Sequence, residues 1–294
     1  MSRNPAKGLI DLLRLPYWLM TGGLALLTAF AITKGNFASF LTIPLIFLSM
    51  AFIASAGFAI NDFFDKESDA VIKPKRPIPS GALSLRQVLL ISGLLFSLGL
   101  ILAAFINWLS FAILLGDSVL LLLYSWLVKR KSGFGANLLM GILTGTAFLY
   151  GETTITNPPT LSLVSLSLYP IAFGTIGGNV LRDVLSLEGD SKMGYPTLPQ
   201  KIGNPKSTKV AAIFFVVCGL LAPAPFLVGA FSVYYLPLIL LWSVLLIYSS
   251  VRLVTSASTI ASVRKYERLI TMSMILLPLS LIFEALSTVI GGLL

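Results

Sequence analysis

The sequence predicts an all-α, polytopic membrane bundle of nine transmembrane helices with two Asp-rich helix ends on one side. Three observations predict it. Of the 294 residues, 56% are hydrophobic and only 11% are charged, well outside the range of soluble domains. The apolar residues are gathered into nine runs, each close to the roughly twenty residues that a helix needs to cross a bilayer. The basic residues between those runs fall almost entirely on alternate connections.

The elements follow in order. Residues 1 to 16 form a basic lead with Arg3, Lys7 and Arg14, and the stretch GLIDLLRLPYW reads as an interfacial helix. The spans then run over 17 to 33, 38 to 60, 86 to 106, 109 to 128, 136 to 154, 161 to 181, 208 to 228, 236 to 254 and 269 to 292. The first run has many successors and no convincing cleavage site, so it reads as a spanning helix and not a removable signal. The lead and the connections after spans 2, 4, 6 and 8 carry three, five, three, five and four Lys or Arg residues, against Lys34 alone on the other side. That asymmetry predicts a cell-membrane protein with its amino terminus and both acidic stretches cytoplasmic and its carboxy terminus outside. The whole chain, 1 to 294, is expected to form one domain. Connections 106 to 109 and 229 to 236 read as plain turns, whereas 61 to 85 and 183 to 209 are long, charged and suited to closing over a headgroup.

Composition also excludes function classes. The chain has no histidine and one cysteine, Cys218, which rules out a His or Cys metal site, an intramolecular disulfide and a His-based triad. A formal charge of +9 raises nucleic acid as a partner. The basic residues are dispersed among connections and line no continuous face, so membrane topology accounts for them and no nucleic acid is expected.

The chemistry concentrates in Asn61 to Gly81, NDFFDKESDAVIKPKRPIPSG, directly after a run without charge. If the helix continues through it, Asn61, Asp65 and Asp69 fall at i, i+4 and i+8 and share one face. Oxygen donors in such a row suit Mg²⁺, which takes one or two carboxylates and completes its shell with water and substrate phosphates. Lys73, Lys75 and Arg76 can meet remaining phosphate charge. The alternative is a solvated loop whose mixed charges hold a helix end in place. A second stretch, Arg182 to Gly203, RDVLSLEGDSKMGYPTLPQKIG, repeats the pattern: Asp183, Ser186 and Asp190 overlay Asp62, Asp65 and Asp69 with the same spacing. Two related halves, each offering one acidic helix end to a shared site, are the reading this repeat supports.

On these residues the chain resembles the UbiA-type intramembrane prenyltransferases. The resemblance rests on ND-x-x-D-x-x-x-D with its trailing KPKRPIPSG, on the second acidic box with GDSKMGYPTLPQKIG, and on Tyr124-Ser-Trp-Leu-Val-Lys129 between them. It implies nine membrane helices, two facing Asp-rich motifs that bind Mg²⁺ and an isoprenyl diphosphate, and transfer of the prenyl group to an acceptor. The expected metal ligands are Asn61, Asp65, Asp69, Asp183 and Asp190. Arg76, Lys129, and Arg182 or Lys192 are expected to neutralise the leaving diphosphate, and Tyr124 to hydrogen-bond it. The family's Arg-Pro pair at the cavity border resembles Arg14 with Pro16; for Arg14 a simple basic membrane anchor is the other reading. Asp62 is the candidate base. Lys73, Lys75 and Lys192 are spare cations for an acceptor phosphate. One departure stands out: the second box has Ser186 where the family has Asp. Asp183 is then expected to take the missing role from one turn earlier, with the helix ending or bending at Gly189 so that Asp183 and Asp190, about 10.5 Å apart along a straight helix, can cooperate.

The segment Tyr124 to Gly151, YSWLVKRKSGFGANLLMGILTGTAFLYG, looks most like the archaeal lipid branch, whose acceptor is geranylgeranylglyceryl phosphate. An aromatic or tetrapyrrole acceptor, a quinone precursor or a chlorophyllide, is the alternative. A cation transporter is more remote, since its acids belong at the bilayer midplane and not at helix ends. A CDP-alcohol phosphotransferase would place its acids in one continuous stretch, whereas here they are divided. Three further features await placement. Asp117 divides between a cavity wall and a structural hydrogen bond, Glu152 and Glu284 read as solvated interfacial acids, and Gly141, Gly145 and Gly151 read as helix-packing positions.

Overall fold

The computed structural model describes residues 4–192, 194, 196–255 and 259–292, with backbone alone for 189, 190 and 192. Helix α1 (Pro5–Leu13) is followed by α2 (Pro16–Thr33), α3 (Thr42–Phe64), α4 (Lys66–Ile72), α5 (Leu85–Ile106), α6 (Trp108–Leu123), α7 (Lys129–Lys131), α8 (Gly133–Thr153), α9 (Leu163–Leu168), α10 (Phe173–Lys192), α11 (Leu198–Ile202), α12 (Asn204–Leu221), α13 (Ala224–Leu227), α14 (Leu236–Thr255), α15 (Ile260–Ser273), α16 (Leu276–Ala285) and α17 (Ser287–Gly291). Among the described residues there are nine helical stretches long and apolar enough to cross a membrane.

Packing runs around a ring. Helix α2 lies on α3, α3 on α5, α5 on α6, α6 on α8, α8 on α10, α10 on α12, α12 on α14, and α14 on α15 and α16; α16 returns to α2 and closes the circuit. Helix α2 also packs on α8 across the ring. Close approach there depends on Gly151, where an added Cβ would meet the Ala25 carbonyl oxygen at 2.5 Å. Gly145 likewise lies under the Tyr169 ring, which bears out the packing reading of these glycines. Because the spans alternate in direction, the end of α3, the end of α10 and the starts of α5, α8, α12 and α15 share one face, called the motif face below.

Two boundaries differ from expectation. The sixth span does not give way to a loop at Asp183, and α10 continues through Gly189 to Lys192. The bend expected at Gly189 is therefore absent, and Asp183 and Asp190 stay on one helix. The last span begins at Ile260, not 269, with an amphipathic turn that places Val263, Tyr266 and Ile270 in the core and leaves Arg264, Lys265 and Arg268 outside. Polarity hides that turn from a hydropathy reading, while its 3.6-residue apolar period specifies it.

Glu152 and Glu284 are not solvated. Both are buried, at 2% and 0% exposure. Glu152, in the last turn of α8, accepts the backbone N–H of Ser162 at 2.9 Å and the hydroxyls of Ser162 and Ser165. Glu284, near the end of α16, accepts the Ser232 N–H at 2.9 Å and its hydroxyl at 2.6 Å. Ser162 caps α9, and Ser232 directly precedes the 3₁₀ turn Val233–Tyr235 that leads into α14. Each acid satisfies donors at a helix entry where the backbone dipole favours negative charge. Asp117 similarly accepts the Thr146 hydroxyl at 2.8 Å and ties α6 to α8.

Glu284→Ala leaves the half-buried Ser232 donors without their carboxylate partner and is expected to cost about 1–3 kcal/mol. Thermal unfolding in detergent should show a lowered midpoint for Glu284→Ala and a smaller loss for Glu284→Gln. An unchanged midpoint in both would show that this cap carries no stability.

Candidate active site

The first acidic stretch begins inside α3 and ends beyond it. Helix α3 stops at Phe64, and Asp65 sits between it and α4 with φ −87° and ψ 6°. The hydrogen-bond ladder nevertheless continues: Asp65 N–H donates to Asn61 O at 2.9 Å, Asp69 N–H to Asp65 O at 2.8 Å, and Lys73 N–H to Asp69 O at 2.9 Å. Asn61, Asp65 and Asp69 therefore keep the i, i+4, i+8 row despite the break. Pro74, Pro77 and Pro79 then stiffen a compact turn, closed by Ser80 N–H to Arg76 O at 3.0 Å and by Gly81, whose φ of 72° lies in the region that favours glycine.

This turn returns Arg76 to the helix it left. Its Nη1 donates to Asp62 Oδ1 at 2.7 Å and to Asp69 Oδ2 at 2.6 Å. Arg14 arrives from the opposite direction. It ends α1 with a φ of 50°, lies 4.5 Å from the centroid of the Phe58 ring, and donates from Nη2 to the same Asp62 Oδ1 at 2.6 Å. Asp62 and Asp69 are both 3% exposed, and Asp65 is 8% exposed. Charges so buried persist because each is paired and hydrogen-bonded. Asp62 was expected to act as a base. Its Oδ1 accepts from two guanidinium groups, those of Arg14 and Arg76.

Lys129 reaches Asp65. After α6 the chain makes a π-helical turn, Tyr124–Val128, in which the Lys129 N–H bonds to Tyr124 O. The wider turn changes the angular register, and Lys129 Nζ donates to Asp65 Oδ2. Tyr124 is half-buried within this turn. Arg130 Nη2 donates to Phe64 O at 3.0 Å and caps the end of α3. Lys73 lies exposed after α4, and its pKa is lowered by partial desolvation and then by neighbouring Arg76.

On the other half, Asp183 Oδ2 accepts Asn137 Nδ2 at 2.8 Å. Asn137 stands near the start of α8, whose Gly133 N–H is bound by Pro196 O at 3.0 Å, so the segment after the second acidic box is tied to the same helix. Arg182 is not brought to this cluster. Neighbouring positions on a helix point about 100° apart. With Asp183 turned to α8, Arg182 lies 60% exposed, donates to Asn179 Oδ1 at 3.2 Å and sits 4.0 Å from Glu267 on α15. The Ser186 hydroxyl bonds back to Arg182 O at 2.9 Å. The side chains of Asp190 and Lys192 lie outside the described residues.

The donor set fits a hard divalent cation. Asn61 Nδ2 donates to Asp65 Oδ2 at 2.9 Å, leaving Asn61 Oδ1 buried and without a hydrogen-bond partner among the described residues. Among those residues, no three carboxylates lie close enough to form a metal cage by themselves. Mg²⁺ does not need such a cage, because substrate phosphates and water complete its shell. Asn137 and the π turn escaped the sequence reading. The residues 132–137, SGFGAN, carry no pattern that distinguishes a ligand-holding Asn from a capping one, and no known composition encodes a π turn.

Fold and site together define a polytopic membrane protein with a buried cluster of carboxylates and cations at the ends of its helices. A model of the UbiA prenyltransferase family matches residues 23–276. The digeranylgeranylglyceryl phosphate synthase of Natronomonas pharaonis is 36% identical over 230 residues, spanning 78% of this chain and 81% of that protein. The protein of the same name from Methanocaldococcus jannaschii is 34% identical over 236 residues, spanning 79% and 81%. A solved structure of digeranylgeranylglyceryl phosphate synthase in membranes superposes with a TM-score of 0.83 at 27% identity, covering 96% of this chain and 99% of that one. A UbiA homologue from Archaeoglobus fulgidus bound to DMAPP and Mg²⁺ shares the fold, with a TM-score of 0.68 at 22% identity over 93% of this chain and 98% of that one. The chain belongs to the UbiA prenyltransferase family and is a membrane prenyltransferase.

The arrangement of Asp62 makes a specific prediction. Asp62→Asn weakens the hold on Arg14 and Arg76, so the KM for an isoprenyl diphosphate should rise roughly tenfold or more, in line with loss of a buried charge partner. The shape of the pH–rate profile should stay as in the wild type. A variant with normal KM but a displaced acid limb would restore Asp62 as a base.

Proposed function

We propose that this chain transfers a geranylgeranyl group from its diphosphate to geranylgeranylglyceryl phosphate, a step of ether-lipid synthesis, with Mg²⁺ bound at the two acidic boxes. The observation that carries the chemistry is the paired cluster: Asp65 with Lys129, and Asp69 with Arg76, beside the unpartnered oxygen of Asn61. The relatives named digeranylgeranylglyceryl phosphate synthase support the choice of acceptor.

In this reading Asn61, Asp65, Asp69, Asp183 and Asp190 hold the metal, which screens the diphosphate and stabilises its charge as it departs. Arg76, held against Asp62, and Lys129, delivered by the π turn, turn from carboxylates to phosphate oxygens when the donor enters. Arg14 shares the Asp62 anchor and lines the same entrance, and Tyr124 supplies a hydroxyl beside Lys129. The allylic C–O bond breaks, its electron pair leaves with diphosphate, and the acceptor hydroxyl oxygen forms the new C–O bond to the same carbon while its proton is released. The apolar tails of both substrates stay among the spans. Lys73 and Lys75, exposed on the turn after α4, are placed to meet an acceptor phosphate. The entire chain serves as one catalytic unit. In sequence, twenty of its 21 Lys and Arg residues fall in the lead and the connections after spans 2, 4, 6 and 8, which supports a cytoplasmic site, an inside amino terminus and an outside carboxy terminus.

A turnover series tests this reading. Purified protein with labelled geranylgeranyl diphosphate should prenylate geranylgeranylglyceryl phosphate and fail with 4-hydroxybenzoate or a chlorophyllide, and a chelator should stop the reaction until Mg²⁺ is restored. Asp65→Ala and Asp69→Ala should lose about a hundred- to a thousandfold in rate. Asp183→Asn should be damaged comparably and Ser186→Ala little. Near wild-type turnover for either alanine variant would remove the metal assignment, and prenylation of the aromatic acceptors alone would move the chain to another branch.

A further inference from the structure

At the motif face, outside the cluster just described, α15 carries an open groove of about 550 Å³ lined by Ile260, Ala261, Arg264, Lys265 and Arg268. Arg264 and Arg268 are one turn apart on the same row, with Ile260 a turn before them. Like charges at this spacing repel and weaken a helix. None of the three cations has a carboxylate partner among the described residues. The single acid of the helix, Glu267, is turned away: it lies 4.0 Å from Arg182 of α10 and accepts the Thr271 hydroxyl at 3.2 Å. All three cations are exposed, while Val263, Tyr266 and Ile270 bury the opposite face. The groove thus gathers three positive charges, none with a carboxylate partner among the described residues, where the last span meets the membrane surface, next to an exposed isoleucine.

We propose that this groove binds the phosphomonoester headgroup of a membrane lipid. Charge complementarity selects the occupant. A phosphomonoester presents close to two negative charges and three acceptor oxygens, which two guanidinium forks and an ammonium can meet together. Met272 and Ile275, exposed and further into the span along the row of Arg264 and Arg268, give the adjoining chain an apolar surface, so a tethered phosphate is favoured over a free one. Juxtamembrane clusters of Lys and Arg attract anionic lipid by the same physics. The site is independent of which acceptor the enzyme uses, since none of its residues belongs to the acid–base cluster.

Native mass spectrometry of the full-length protein tests it. Wild type, Arg264→Gln/Lys265→Gln/Arg268→Gln and the charge-conserving Arg264→Lys/Arg268→Lys are released from nanodiscs containing equal amounts of phosphatidic acid, phosphatidylcholine and diacylglycerol of one chain composition. Wild type should retain phosphatidic acid roughly tenfold or more over the other two. The neutral triple variant should lose that preference, and the lysine pair should keep most of it, with all three sharing one unfolding midpoint. Inorganic phosphate at the lipid's concentration should not displace the lipid. Equal retention by wild type and triple variant would overturn the proposal, and so would displacement by inorganic phosphate, which would mark a site for a free anion.

Discussion

Asp62 Oδ1 receives Arg14 at 2.6 Å and Arg76 at 2.7 Å, and those two bonds join three parts of the chain. Arg14 ends the amino-terminal helix α1. Asp62 belongs to the last turn of α3, and Arg76 to the proline-stiffened turn that follows α4. Removing the carboxylate would leave Arg14 without its counter-charge and Arg76 with Asp69 alone, which is the costly way to break a buried pair. Further bonds converge on the same corner. Trp18 Nε1 and the Ser55 hydroxyl both reach the Leu13 carbonyl, at 3.2 and 2.8 Å, and Gly8 lies against Ala82 and Leu83 of the turn. Helix α1 therefore acts as a strap across the motif face, and the cations are positioned before any substrate arrives.

The same economy governs the acids within the bundle. A carboxylate without partners in hydrocarbon costs several kcal/mol. Asp117, Glu152 and Glu284 each meet hydroxyl or amide donors and so serve as ties between helices or as caps at helix entries. For Asp62, Asp65 and Asp69 the partners include charged groups instead. Arg and Lys can exchange one anion for another with little movement, which hydroxyl caps cannot do.

Much of this was legible in the sequence because the bilayer imposes length and polarity at the same time. The nine spans and the acidic row Asn61, Asp65, Asp69 follow from periodicity and charge. What was missed falls where local polarity and tertiary contact pull apart. The start of α15 is too polar for a hydropathy window, yet it is a helix. Glu152 and Glu284 look interfacial by position, but serine caps distant in sequence draw them inside. Gly189 has the composition of a helix stop, and α10 passes through it to Lys192. The link between Lys129 and Asp65 depends on a π turn, and that between Asp183 and Asn137 on the packing of α8 against α10. Neither leaves a mark in either segment alone.

The central claim is that the paired cluster at the ends of α3 and α4 receives a diphosphate through a divalent cation, its own ion pairs exchanging for those with the substrate. Equilibrium binding of a non-reactive geranylgeranyl thiolodiphosphate, titrated with Mg²⁺ from zero upward, tests it most directly. Binding should be weak without the metal, tighten saturably as Mg²⁺ rises, and lose that tightening when Asn61, whose buried oxygen has no partner among the described residues, is replaced by leucine. Tight binding that is indifferent to Mg²⁺ and to Asn61 would contradict it.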